Sequence, residues 1–554
     1  MSVLSAPTAP AAVQYWDTAP DAGIQGGTAT WSTAVSDTNW SASATGTVLS
    51  TWTSANDAWF MMPSNGVPST VAVNSGLTAG SVMITGNVYA LILTNGAQFL
   101  SGNVTVGAGS FSNTAIVYPG SMWNFGTNKT LTVGNGPATG NVLTIDGGVV
   151  TNLATLYLGS GLSPSLAANN SILITNGGKL VMNGVANPWA YLGGNSCSSN
   201  SVAVTGPGSV WSNGASSFIY LGNYQLAPNI GRSTLSVLNG GEVDVTYLRA
   251  AYSPSNTVLV SGTGSVLRSQ YVPATTDGHI MIGADAYDPG NQLIVTNGGM
   301  VFAGEAAFNG SNGMAIVTGT GSVWSNAYVV NSSGFVLVIG NGQGSSQGIS
   351  QNLVLIANGG RMYNACPTPY GTTAIGYFGS GGNAVRVTDT GSLFRAFSDL
   401  AVGRLNNACG NSLTVSNGAT AIIDSWYGGV WIGWGGSSNT VLVTGNGSVL
   451  TNSGGFVLGL ITNSSYNQVI VTNGGTVYCA GIGVGTNSFA LSNGLIVASG
   501  GRLYETAAGF IGSVAGATGN YATVSGAGSL WDVGGQVLII GNATTPNSSL
   551  TVSQ

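Results

Sequence analysis

Charged residues are scarce in this chain of 554 residues. Asp, Glu, Lys and Arg together make up 5% of it, whereas a soluble globular domain carries about 25%. The net charge of −6 is spread thinly, and the absence of a basic cluster argues against nucleic acid as a partner. No apolar run approaches the roughly 20 residues that a membrane-spanning helix requires. We therefore expect no transmembrane segment.

Cysteine and histidine are also rare, which limits metal and redox chemistry. The four cysteines are far apart and form no CxxC pair, so they are interpreted as isolated structural thiols, with a disulfide between neighbouring loops left open. No calcium-binding GGxGxDx repeat or EF-hand loop occurs. We expect no metal and no cofactor. The cysteines are Cys197, Cys366, Cys409 and Cys479.

Glycine and apolar residues are abundant. There are 88 glycines, and hydrophobic residues reach 44%, so the chain has much apolar surface to bury and is not a disordered polar polymer. Many short strands separated by tight turns fit this composition, and helices do not.

A repeat governs the sequence. Phrases such as NTVLVTGNGS and NQVIVTNGG begin with an Asn, and successive copies in the C-terminal part lie 26 to 28 residues apart. The middle of the chain continues the repeat with more length variation, at Asn256, Asn291, Asn312, Asn352 and Asn383. We expect the recurring Asn at a sharp corner, where stacked side-chain amides form a ladder. The proposed corner residues are Asn87, Asn113, Asn141, Asn170, Asn200, Asn256, Asn383, Asn411, Asn439, Asn467, Asn493 and Asn520.

Each unit contains three short strands, the third ending in glycine, as in the YLG phrases at Tyr157 and Tyr220. Two turn endings, NGG-like and GS-like, mostly alternate between units. Three strands in one unit form one coil of a three-sided solenoid, because an α-helical crossover would need a dozen or more extra residues. The sequence thus predicts an all-β, right-handed parallel β-helix of about 17 coils of about 28 residues, stacked into a rod of about 80 Å.

One column of this solenoid is unexpectedly apolar. If the two valines of NTVLVTG face the core, the residue between them faces outward. That position is mostly Leu or Ile along the chain, and exposed apolar stripes mark interaction surfaces. We interpret the column as a candidate association face, and coverage by loops or by the N-terminal segment is the alternative. Its large members are Leu173, Leu259, Ile294, Leu355, Leu442, Ile470 and Ile496.

The phrases NSLTVSNGA and VTGNGSVL resemble bacterial autotransporter-associated β-strand repeats, which occur in large surface proteins with β-helical passengers. The opening segment is similar to those that precede such repeats. The resemblance implies export and a cell-surface or extracellular location. It implies fold more than chemistry, and we do not expect membrane anchoring in the autotransporter manner, since the sequence as given ends at Gln554 within the repeat.

The two ends differ from the repeat. Residues 1–80 contain five tryptophans and are predicted to be a capping or assembly segment before the solenoid of residues 81–554, with an aromatic sugar-binding module as the alternative. The last phrase, NSSLTVSQ, leaves an open strand edge that is expected to pair with another subunit, unless the chain is a fragment of a longer parent.

Catalytic candidates are few. Arg268, Asp277, His279, Asp285 and Asp288 gather in one long loop region, and His279 is the only histidine. A loop role is preferred over acid–base catalysis. The acidic pair in GGEVDV is interpreted as solvated. The aromatics of WYGGVWIGWGG are interpreted as loop packing rather than a glycan platform.

The sequence therefore predicts a non-enzymatic structural protein of the cell surface or extracellular matrix. It would associate with itself into a fibre, layer or adhesive stalk through the apolar column and the open C-terminal coil. The alternative is a β-helix that binds or degrades polysaccharide, with surface glycans as partners.

Overall fold

The computed structural model contains only strands as regular elements within its described residues. The chain divides into two compact units, Met1–Ser236 with Gly240–Asp244 and Val237–Asn239 with Val245–Gln554. The structure describes residues 11–63, 66–94, 96–161, 167–194, 197–214, 216–222, 231–269, 279–284, 288–327, 335–342, 349–365, 372–405, 407–425, 428–462, 464–541 and 547–554.

In the first unit, one parallel sheet collects the first strand of each coil, and the other strands form the remaining faces. The first strands are Ala29–Trp31, Ser69–Val73, Tyr89–Leu93, Thr114–Val117, Val142–Asp146, Ser171–Thr175 and Ser201–Thr205. Four long strands bend from the second face to the third: Leu77–Ile84, Gln98–Ala108, Met122–Asn135 and Val149–Ser160. The other second and third strands are Lys179–Met182, Trp189–Leu192, Val210–Asn213 and Phe218–Leu221. The N-terminal strands are Val13–Trp16, Trp40–Ser41, Leu49–Ser50 and Asp57–Phe60.

Two strands, Thr234–Leu238 and Glu242–Val245, contain residues of both units. In the second unit, the first strands are Thr257–Ser261, Gln292–Thr296, Met314–Thr318, Leu353–Ala357, Ala384–Thr388, Ser412–Ser416, Thr440–Thr444, Gln468–Thr472, Gly494–Ala498, Tyr521–Ser525 and Ser549–Ser553. The second strands are Val266–Ser269, Met300–Ala303, Val323–Ala327, Arg361–Ala365, Leu393–Ala396, Thr420–Ile423, Val449–Asn452, Thr476–Cys479, Arg502–Glu505 and Leu530–Asp532. The third strands are Tyr247–Ala250, His279–Ile282, Glu305–Phe308, Phe335–Asn341, Thr372–Tyr377, Asp399–Arg404, Gly429–Trp434, Gly455–Leu458, Ile482–Val484, Gly509–Ile511 and Leu538–Ile540.

Register between coils is in step. Thr440–Thr444 pairs in parallel with Ser412–Ser416 on one side and with Gln468–Thr472 on the other, residue for residue. Val441 and Val443 point inward and are fully buried, because alternate residues of a strand lie on opposite faces. The predicted fold, a parallel β-helix with three strands per coil, is confirmed.

The coil count also agrees with the prediction. Among the described residues, seventeen first strands run from Tyr89–Leu93 to Ser549–Ser553.

The N-terminal segment packs four of its five tryptophans inside the first unit, and Trp59 is partly exposed. Trp16 and Trp40 pair across antiparallel strands and meet edge to face, with ring centroids 5.2 Å apart. Trp31 lies 5.1 Å from Phe99 of the early solenoid, also edge to face. These rings are almost fully buried, so their faces are not available for stacking on a sugar. They act here as core.

Candidate functional surfaces

The corner asparagines form hydrogen-bonded ladders inside the coils. In each step the side-chain Nδ2 donates to the Oδ1 of the next Asn, at 2.9 to 3.2 Å, and the same Oδ1 accepts the backbone N–H. All of these side chains are buried, so the ladder satisfies polar groups that would be costly if left unpaired. The members are Asn113 to Asn200, then Asn256 with Asn291, then Asn352 to Asn520.

One proposed corner residue, Asn87, and one further Asn of the repeat, Asn312, lie outside the ladder. Asn87 is two residues too early, because the backbone N–H of Tyr89 donates to Asn113 while Asn87 accepts from Phe111. Asn312 is one residue too early. Gly313 holds the ladder position and donates its N–H to Asn352 Oδ1 at 2.7 Å. In both places the Asn that has the repeat spacing in the sequence lies in the loop before the corner, and a different residue occupies the ladder position.

The glycine that ends the third strand is explained by the ladder. At Gly376 an added Cβ would lie 2.2 Å from the Nδ2 of Asn411, and the backbone φ is +79°. The same contact recurs between Gly159 and Asn200. The glycine therefore leaves room for the amide of the next coil.

The alternation of turn endings also has a hydrogen-bonded cause. The N–H of the second residue in an NGG-like turn donates to the Ser Oγ of the GS-like turn in the next coil, at 3.0 to 3.1 Å. In the other direction, the Asn of the NGG-like turn donates to the last Thr or Ser hydroxyl of the preceding GS-type coil, as Asn473 does to Thr444 at 3.2 Å. The GS-like coils therefore provide hydroxyl acceptors for the N–H and side-chain amide donors of the adjacent NGG-like turns. The donor–acceptor pairs of the first kind are Gly177–Ser209, Gly298–Ser322, Gly359–Ser392, Gly418–Ser448 and Gly500–Ser529.

The structure brings the outward apolar residues into one column in each unit. In the second unit, eleven strands are in register at this position, and seven of the eleven residues are Leu or Ile. These aliphatic side chains are partly exposed, whereas the residues on either side of them in each strand are buried. The aliphatic members are Leu259, Ile294, Ile316, Leu355, Leu442, Ile470 and Ile496.

Four residues interrupt this column: Arg386, Thr414, Thr523 and Thr551. In the first unit Leu173 stands in register between Thr144 and Ala203, a shorter and less apolar stretch. The aliphatic stripe is therefore concentrated in the second unit.

The residues considered for catalysis are spread over different elements. Asp277 and Asp285 lie outside the described residues. Arg268 points outward from a second strand opposite Phe302, while His279 lies on a third strand, with its Nδ1 4.0 Å from Glu305 Oε1. The described members therefore do not share one element.

Asp288 has a structural role. Its buried carboxylate accepts the backbone N–H of Tyr252 at 2.5 Å and that of Ala284 at 2.8 Å. It ties two loops together. The acidic pair Glu242 and Asp244 faces outward and is partly exposed.

The aromatics near residue 430 pack against each other and against an arginine. Trp431 and Trp434 meet edge to face at 4.7 Å, and the guanidinium carbon of Arg404 lies 4.8 Å from the Trp434 ring centre and 4.7 Å from that of Phe335. Burial lowers the pKa of Arg404. These contacts fit packing around a cation, and Trp426 and Tyr427 lie outside the described residues.

An aromatic surface that the sequence analysis did not identify lies on the third strands of the first unit. Tyr157, Tyr191 and Tyr220 stand in register on consecutive coils, with ring centroids 5.2 and 5.4 Å apart and nearly parallel planes. Trp189 and Phe218 form a second row beside them, 5.0 Å apart. We call these five residues the aromatic face. The YLG phrases at Tyr157 and Tyr220 carried the signal, but they indicated only a strand.

Buried ionisable groups occur near the end of the second unit. Glu505 is 3% exposed and accepts a hydrogen bond from the Trp531 indole at 2.9 Å. Burial raises the pKa of Glu505 to about 7, with the indole hydrogen bond acting in the opposite direction. Burial, and then the neighbouring Glu505, also raise the pKa of the Cys479 thiol.

The described part of the chain does not meet the requirements of a disulfide, a metal site or a membrane-spanning helix. Cys197, Cys409 and Cys479 form no disulfide there, and Cys366 lies outside it. Within the same residues there is no cluster of three or more acidic, His or Cys side chains suited to a metal ion. They also include no helix long and apolar enough to cross a membrane.

Comparisons with known proteins assign the chain to no family. No family model matches the chain, and no curated protein matches it. A solved structure that matches is the crystal structure of a TibC-catalysed, hyper-glycosylated fragment of TibA, residues 55–350, at 13% identity. The match covers 90% of this chain and 100% of that fragment, with a TM-score of 0.24. A TM-score this low carries no argument about what the chain does.

Proposed function

We propose that this chain is a non-enzymatic structural protein of the cell surface or extracellular space, and that it associates with itself through the aliphatic column of its second unit. The observation that carries the proposal is the column itself. Seven Leu and Ile side chains occupy the outward centre of one sheet in matching register. An isolated chain gains no stability from aliphatic side chains that face water in that position. The adjacent outward positions are largely polar, so the aliphatic column is distinct from its surroundings.

The size of the face suits a stable contact between two copies. Eleven strands at about 4.8 Å spacing, each about five residues of 3.3 Å, give a face on the order of 50 Å by 16 Å. That is about 800 Å², close to the area each partner buries in a standard protein interface. Arg386 is the charged member of the column and is exposed, so its placement opposite polar Thr or Ser side chains would limit the allowed registers.

Two matched isoleucines allow a direct test. Ile470 lies in the column, while Ile422 points outward from the middle of a second strand of the same unit, and both are partly exposed. Replacing Ile470 with Lys would bury a charge in the contact, and we expect it to abolish assembly. Replacing Ile422 with Lys should leave assembly intact.

Sedimentation velocity over a range of concentrations, with negative-stain microscopy, would measure the outcome. Dispersed monomers of the wild type at high concentration would refute the proposal. Equal loss of assembly in the two variants would refute the assignment to this column. The non-enzymatic part of the proposal fails if polysaccharide cleavage is detected and disappears in His279→Ala.

A further inference from the structure

The aromatic face of the first unit is continuous with a polar surface. Along the same two rows, the coils that precede Tyr157 and Trp189 present Thr and Asn side chains outward, and Asn103 Oδ1 accepts the backbone N–H of Thr130 at 3.0 Å. We call these residues the polar rail. They are Asn103, Thr105, Thr130 and Thr155, whereas Thr132 of the same row is buried.

The rings are slipped past one another rather than fully covered. Parallel rings in full contact lie about 3.5–4 Å apart, but the centroids of Tyr157 and Tyr191 are 5.2 Å apart with an interplanar angle of 8°. Tyr157 and Tyr191 are partly exposed, whereas Tyr220 is only 4% exposed. Trp189 is tilted by 38° from Tyr191 and is 38% exposed, so it is the most accessible ring of the set.

Charge is absent from both rows. From Ser81 and Met83 to Phe218 and Tyr220, the described residues on these two outward rows are hydroxyl, amide, thioether or aromatic side chains. Burial and the neighbouring phenols raise the pKa of Tyr191, so this phenol keeps its proton and can donate a hydrogen bond. A ligand suited to this surface is uncharged, with apolar faces and hydroxyl rims.

We propose that the aromatic face and the polar rail bind an extended, uncharged β-1,4-linked polysaccharide that runs along the stack of coils. One aromatic or hydroxyl side chain is presented per coil, at intervals of about 4.8 Å, and an extended β-1,4-linked polysaccharide advances by a similar, slightly longer distance for each sugar. The C–H faces of successive sugars would contact Trp189, Tyr191 and Tyr157, which are at least partly exposed, and their hydroxyls would contact the polar rail. This ligand therefore has nearly the same repeat distance as the face.

The second unit provides a matched control. Tyr478 and Tyr504 also stack on adjacent strands, with centroids 5.2 Å apart and an angle of 13°. Tyr478 is 46% exposed. That pair stands beside the exposed Arg502 and has no second aromatic row among the described residues. It therefore tests whether exposed stacked tyrosines alone are sufficient.

Depletion of the full chain from solution by particulate cellulose and chitin would test the proposal, with starch granules and calcium alginate as probes of different geometry and charge. We expect retention on cellulose or chitin and not on starch or alginate. Trp189→Ala and Tyr191→Ala should each weaken retention about tenfold, and Tyr478→Ala should not. Circular dichroism would verify that each variant is folded, and Trp189→Phe should keep part of the affinity.

Two results would overturn the proposal. One is wild-type protein that stays in solution with both cellulose and chitin. The other is retention that Trp189→Ala leaves unchanged or that Tyr478→Ala lowers equally. If Trp189→Ala instead alters the sedimentation of the free protein while polysaccharide retention is unaffected, the face is a protein contact and not a glycan site. None of these outcomes depends on the aliphatic column of the second unit.

Discussion

Removal of one ladder amide should loosen the coils beside it. Asn439 is fully buried in the middle of the longest ladder, where its Oδ1 accepts from the N–H and the Nδ2 of Asn411 at 2.9 and 3.1 Å. Its own Nδ2 donates to Asn467 at 3.0 Å. Asn439→Ala removes all three hydrogen bonds and leaves a small cavity.

The loss can be estimated from what remains unpaired. The backbone N–H of Asn411 is left without its acceptor, whereas its Nδ2 keeps a second acceptor, the carbonyl of Ser380, at 3.3 Å. The Oδ1 of Asn467 still accepts the N–H of Asn439 at 3.0 Å. One orphaned donor and two weakened groups should cost about 2–4 kcal/mol locally.

Hydrogen exchange measured by mass spectrometry suits this prediction, because stacked repeats open locally rather than as one unit. Amides of the coils that contain Asn411, Asn439 and Asn467 should exchange about 30 to 1,000 times faster than in the wild type. Asn446→Ala, at an exposed turn position of the same coil, is the control and should change exchange little. Equal exchange in the two variants would refute a stabilising role for the ladder.

Three further predictions concern other parts of the coil design. Gly376→Ala combines a positive φ with a clash against Asn411, so it should destabilise its coils by about 2–5 kcal/mol in the same exchange assay; Gly177→Ala, with a φ of +80° but open space around the added Cβ, should cost only about 1 kcal/mol. Ser448→Ala removes the acceptor of the Gly418 N–H and should speed exchange of that amide about 5- to 100-fold, and an unchanged Gly418 amide would contradict the interlocked turns. Because the pKa of Glu505 is about 7 when folded and 4.5 in its ordinary state, the folded chain binds more protons between these values, so stability near Glu505 should fall by up to a few kcal/mol as pH rises from 4.5 to 7. Glu505→Gln should remove that pH dependence of exchange in the last coils, and a pH dependence that persists in the variant would show that another group is responsible.

The coil and its period were accessible from sequence because their determinants are local. Alternating strand residues, positive-φ glycines in the turns and a recurring Asn all act within a few residues. The phase of the ladder was less accessible. Asn87 and Asn312 have the spacing of the repeat in the sequence. The hydrogen bonds that define a corner, however, join residues one coil apart, and in those hydrogen bonds the ladder positions belong to Tyr89 and Gly313.

The sites were harder to predict because register between coils creates them. Tyr157, Tyr191 and Tyr220 come together only through stacking of third strands that loops of different length separate. Around His279 the opposite holds, because residues that are close together in the sequence are separated in the structure. Residues close together in a long loop region suggested one cluster, yet Arg268 and His279 lie on strands of different faces, and Asp288 is committed to backbone N–H groups.

The scarcity of charge follows from the same stacking. A charged side chain repeated at an equivalent outward position would lie about 4.8 Å from its copies in neighbouring coils, and like charges near 4 Å repel by about 1 kcal/mol even in water. Arg395 is an outward charge with a complement in a neighbouring coil, Asp424, and their Nε and Oδ2 atoms are 2.7 Å apart. Hydroxyl and amide side chains avoid this penalty because each can both donate and accept along the column.

Stacking therefore accounts for most outward positions by selecting Ser, Thr, Asn and Gln. It does not select seven aliphatic side chains in one column of the second unit, nor the four at least partly exposed rings of the aromatic face, Tyr157, Trp189, Tyr191 and Phe218, in the first. An uncharged hydroxyl would serve the coil equally well at each of these places. The carbon exposed there is thus a cost to the isolated chain, which a second copy at the column and a polysaccharide at the aromatic face would each remove.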